Sequence, residues 1–123
     1  MNLQRNILLI IVILFLAVVF VSGCSSRNEL NRHPSQIYYS KHARCRMGCR
    51  HIDENEVKEI MQDGKINYAK SELNASDSCR QKYAMEGYSH DNQHLRIIFA
   101  SCNGAVTVVT VIDLGYEWPC DCR

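Results

Sequence analysis

Apolar and polar residues change rhythm several times along the chain. Residues 7–21 form an unbroken apolar run, ILLIIVILFLAVVFV. Residues 25–36 are polar and aperiodic, and the burst Ile37-Tyr38-Tyr39 then predicts a short strand. Residues 41–50 follow with helical spacing, and Ser40 is placed to cap them. At about 100° per residue, Ala43 and Met47 fall on one inward arc and Cys45 and Cys49 on another. His42, Arg46 and Arg50 lie between those arcs, at the edge of a seam rather than opposite it. A second helix begins after Asp53, with Glu56 completing a capping box and Ile52 and Val57 placed as a staple. Val57, Ile60 and Met61 share its apolar face, and Gly64 ends it.

Beyond Gly64 the period shortens to that of strands. Strands are predicted over residues 65–73, 79–88, 94–102 and 105–114. The turns are Asn74-Ala75-Ser76-Asp77, a loop around His90-Asp91-Asn92, and Asn103-Gly104, a strong hairpin pair. The last strand is almost all β-branched, which predicts an inner position buried on both faces. The expected fold is α+β: a helical hairpin packed on a four-stranded antiparallel β-meander, stapled by disulfides.

Composition changes the reading of the first segment. An apolar run of 15 residues is short beside the roughly 20 that span a bilayer. With Arg5 before it and Val21-Ser22-Gly23-Cys24 after it, it reads as a secretory signal ending in a lipobox-like site. The expected organisation is a lipoprotein signal over 1–23, a flexible tether over 24–36 and one domain over 37–123. Cys24 is the expected lipidation site, with the acyl chains holding the protein to the bilayer. Loss of residues 1–23 removes Arg5 from the 14 Lys and Arg, leaving 13 basic against 13 acidic residues. A neutral domain has no general attraction for nucleic acid, so no such partner is expected.

Six further cysteines remain: Cys45, Cys49, Cys79, Cys102, Cys120 and Cys122. An even number in a small exported domain predicts disulfides. A hairpin centred between His90 and Asp91 sets Cys79 opposite Cys102. Four helical residues rise about 6 Å and two extended residues about 6.6 Å, so Cys45/Cys49 can meet Cys120/Cys122 as two rungs. The alternative for those four is a zinc site of thiolates.

His42, Arg46 and Arg50 are the candidates for an anion-binding or phosphodiester-handling edge, with Lys82, Tyr83 and Arg96 as possible contributors from the sheet. The competing expectation is that the two arginines pair with carboxylates of the second helix or with Asp113. His90 and His94 straddle a hairpin and make a weak metal pair. Trp118, beside Pro119, is expected over the edge of the core.

His42-Ala43, Arg46-Met47 and Arg50-His51-Ile52 resemble the "HA, R-M, R-G-I" signature of the bacterial domain-of-unknown-function family 4258. The resemblance continues through the acidic helix, Gly64, the "R-I-I-F" of residues 96–99 and the "V-V-T-V" of residues 108–111. His51 stands where that family often carries glycine, and the six cysteines are additions to its usual pattern. The helix-helix-sheet order also resembles RelE/ParE-type toxins at the level of fold. The expectation is a membrane-anchored envelope lipoprotein, a small binding or interaction module facing periplasm or exterior, with no cofactor and no catalytic constellation. The alternatives are a RelE/ParE-like ribonuclease-related toxin domain and a structural zinc-binding lipoprotein.

Overall fold

The computed structural model describes residues 2–19 and 29–123. Helix α1 spans Asn2–Val19, in the segment expected as the signal. Among the described residues no helix is long and apolar enough to cross a membrane. Cys24 lies outside the described residues.

The domain contains β1 (Gln36–Tyr39), α2 (Lys41–Arg50), α3 (Glu54–Asp63), β2 (Lys65–Ile66), β3 (Lys82–Tyr88), β4 (His94–Cys102) and β5 (Ala105–Asp113). The class is α+β, as the sequence predicts, but the sheet has five strands in the order β1-β5-β4-β3-β2. It is mixed rather than antiparallel, because β1 runs parallel to β5, from Gln36 opposite Ala105 to Tyr39 opposite Val108. The two helices form the crossover that leads the chain from β1 to the opposite edge.

Local chemistry sets the helices. Ser40 accepts from the Ala43 N–H at 2.9 Å and donates to the Val109 carbonyl at 2.8 Å, which starts α2 and ties it to β5. Asp53 and Glu56 make the full capping box of α3. Arg44 and Glu54 pair at 2.6 Å across the two helices. A Cβ at Gly64 would collide with the Ile60 carbonyl and sit 3.1 Å from that of Glu86, so α3 ends hard against β3.

One face of the sheet carries the core. Val57, Ile60 and Met61 pack over Met85, Leu95, Ile97 and Phe99, while Ala43 and Met47 pack over Val106, Val108 and Val111. Burial along β5 alternates, with its second face half exposed, so the strand is not buried on both sides. The tether is shorter than expected: Leu30 is 4% exposed within the core. Arg32 also donates to the carbonyls of Gln62 (2.9 Å) and Gly64 (2.8 Å) at the end of α3.

The strand predicted over 65–73 breaks after Ile66. Asn67 accepts from the Lys70 N–H and closes a 3-10 turn at Tyr68–Lys70, and the chain rejoins the sheet only at the Glu72–Lys82 bridge. Asp77 likewise caps a 3-10 turn at Ser78–Arg80, which takes Cys79 out of the strand predicted for it. The β3–β4 register, Lys82 opposite Ala100, is centred on Asp91. Extended, it would set Cys79 opposite Asn103. The 3-10 turn returns Cys79 to 4.6 Å from Cys102, Cα to Cα, and the disulfide forms.

Candidate functional site

The site lies where the C-terminal half of α2, the end of β5 and the tail meet. The helix brings Arg46 and Arg50 onto one edge, one turn apart, beside the buried Ala43 and Met47. Arg50 donates through Nη1 to the Val111 carbonyl, and its own carbonyl accepts from Gln93 Nε2 at 3.2 Å. The Nε of Arg46 is enclosed and, among the described residues, has no hydrogen-bond partner. His51, at φ 55°, is the left-handed C-cap that turns the chain off the helix. A glycine would suit that backbone better, in keeping with the glycine of the resembling signature.

Past β5, one carboxylate folds the tail. Asp113 Oδ1 accepts from the N–H groups of Gly115 (2.9 Å) and Tyr116 (3.2 Å). Its Oδ2 accepts from Trp118 Nε1 at 2.8 Å and Gln93 Nε2 at 3.5 Å. Trp118 then stands edge-on between His51 (4.8 Å) and Tyr116 (4.6 Å). The two predicted rungs close the strap: Cys49 bonds Cys120 and Cys45 bonds Cys122, with Cα separations of 5.7 and 5.8 Å. Sulfurs bonded in this way are not the thiolates a zinc site needs.

Strap and helix together border an open, shallow cavity of about 450 Å³ lined by Arg46, Arg50, Asp113, Tyr116, Glu117 and Trp118, among others. Burial lowers the Arg50 pKa from its ordinary value, repulsion from Arg46 lowers it further, and Asp113 offsets part of this. Among the described residues, neither Arg46 nor Arg50 makes a salt bridge, so the pairing expected with the second helix or with Asp113 does not form; Arg44 takes that role with Glu54.

The remaining candidates lie elsewhere. His42 is exposed and does not line the cavity. Tyr83 is buried in the core, Lys82 pairs with Glu72, and Arg96 pairs with Glu86 at 2.6 Å. His90 bonds Glu59 and His94 stacks on Tyr88, so the two histidines have separate partners. Asp113 as organiser of the tail was the feature hardest to see; its only signal is a side chain that can accept from the second N–H after it.

The profile of the family described as Domain of unknown function (DUF4258) matches residues 39–113. The chain belongs to this family. No curated protein and no solved structure matches the chain. The matched stretch runs from β1 to Asp113, so α2 with Cys45 and Cys49 falls inside the DUF4258 domain. The strap that carries Cys120 and Cys122 falls outside it.

Proposed function

We propose that this DUF4258 protein is a membrane-anchored envelope lipoprotein whose domain is a small binding module, held to the bilayer through acylated Cys24 and facing periplasm or exterior. The observation that carries the reading is the pairing of all six domain cysteines into three disulfides. Such a cysteine set belongs to an oxidising compartment. The lipobox-like Val21-Ser22-Gly23-Cys24 supplies the anchor. The strap cavity, open to ligand and closed by covalent rungs, is the binding surface.

Intact mass of the native membrane form, with and without reduction and alkylation, tests the reading. The expected product has lost residues 1–23, carries acyl chains on Cys24 and gains alkyl groups on six cysteines only after reduction. An unlipidated product with six free thiols would overturn it.

A further inference from the structure

We propose that the strap cavity is a phosphate site, in which Arg46 and Arg50 grip the anionic group of a phosphorylated organic molecule and Trp118 and Tyr116 wall its body. The proposal deepens the binding-module reading but rests on different residues from the anchor.

Two like charges a helical turn apart oppose each other, and a buried guanidinium nitrogen without an acceptor is costly. Among the described residues Arg46 Nε is left in that state, shielded inside the seam, and neither arginine has an ion pair although both line the cavity. Asp113, an acid in the same lining, is already committed to four donors from the tail and Gln93. Glu117 is the other acid in the lining; it is exposed, bonds to neither arginine, and is the internal competitor for them. Guanidinium groups match phosphate oxygens in paired, charge-assisted hydrogen bonds, and two cations match a doubly charged phosphate monoester. The cavity, at about 450 Å³, has room for more than a bare ion, and its aromatic wall suits an organic body. A free metabolite and a lipid headgroup would present the same group.

Trp118 is the single tryptophan of the chain and lines the cavity, so its fluorescence reports on the site directly. The full chain in non-ionic detergent, oxidised, is titrated with inorganic phosphate, with sn-glycerol 3-phosphate as the headgroup fragment, and with acetate as a monoanion control. Saturable binding of the phosphates, at least tenfold tighter than acetate, is expected. Preference for glycerol phosphate assigns a headgroup or other ester source, and equal binding a free phosphate. Arg50→Gln should weaken binding at least tenfold, and Glu117→Gln, which is exposed and outside the core, should tighten it severalfold. No saturable response to either phosphate, or affinity unchanged in both variants, overturns the site. Either result leaves the anchor reading standing, because the mass measurement decides that separately.

Discussion

Trp118 donates its indole N–H to the Asp113 carboxylate at 2.8 Å, across five residues of irregular chain. The same carboxylate accepts from the N–H groups of Gly115 and Tyr116, so one side chain shapes the start of the strap that the two disulfides fasten at its end. Asp113→Ala strips the acceptor from these donors at once. The variant should lose about 1–3 kcal/mol of unfolding free energy. It should also show a shifted Trp118 emission in the native state. Denaturant unfolding of the oxidised protein measures the first, and an unchanged spectrum would count against Asp113 as the organiser.

The left-handed His51 sets two terms against each other. Glycine would relieve a backbone strain of about 1 kcal/mol. It would lose the edge contact with Trp118, worth about 0.5–1.5 kcal/mol. His51→Gly should therefore lie close to wild type in stability. His51→Ala keeps the strain and loses the ring, so it should be less stable than the glycine variant by about 1 kcal/mol. Equal stability of the two variants would show that position 51 relaxes out of the left-handed region.

The two strap disulfides do not act independently. Each closes a loop of more than 70 residues, with sequence separations of 77 and 71. Once one is formed, the other closes only the small ring between residues 45–49 and 120–122. Replacing one rung by serines should cost about 2–3 kcal/mol, whereas removing both should cost about 7 kcal/mol, more than twice as much. A double-mutant cycle by thermal unfolding checks the coupling, and strict additivity would contradict it.

Glu86 and Arg96 face each other across β3 and β4, and the hydrogen bond from Arg96 is the largest cause holding the Glu86 carboxyl below its ordinary value of 4.5. A depressed folded-state pKa adds stability above the unfolded value, and that addition is lost as pH falls through the folded value. The wild type should lose stability on acidification below about pH 4.5 more steeply than Glu86→Gln. Parallel stability curves for the two proteins down to pH 3 would remove Glu86 from the account.

His90 shows the opposite sign. Its hydrogen bond to Glu59 on α3 is the leading cause that raises its pKa above the ordinary 6.5. The pairing therefore favours the folded state below the unfolded pKa and fades as pH rises through the folded one. In an NMR titration Glu59→Gln should bring His90 down toward 6.5. A His90 midpoint that ignores the substitution would break the assignment.

What could be read from the residues alone followed the range of the forces involved. The capping box at Asp53 and Glu56, and the hairpin at Asn103-Gly104, are short-range chemistry and came through intact. So did the disulfide rungs, because helix and extended-chain rises match over four and two residues. The parallel pairing of β1 was invisible, since Gln36 meets Ala105 through a four-residue strand with no turn to announce it. The strand predicted after Gly64 failed for a local reason: the Asn67 side chain captured the backbone that a strand would have used. Arg46 and Arg50 were legible as neighbours by helical spacing. Their enclosure was not, because it depends on an irregular tail folded around Asp113.

The pairing of β1 with β5 governs the order in which the domain can be assembled. The β4–β5 hairpin is local and can form early, but its outer edge stays open until residues 36–39 return to it. Helix α2, lying between those two strands in the chain, can dock on β5 only with the same event, and its sulfurs find their partners only when residues 120 and 122 are present. The contacts of both β1 and α2 with β5 thus wait for one closure, a step that is slow and leaves a sticky strand edge exposed meanwhile. Oxidation coming last would then act as a proofreading step, because the two rungs can form together only on a chain whose outermost strand has already found its place.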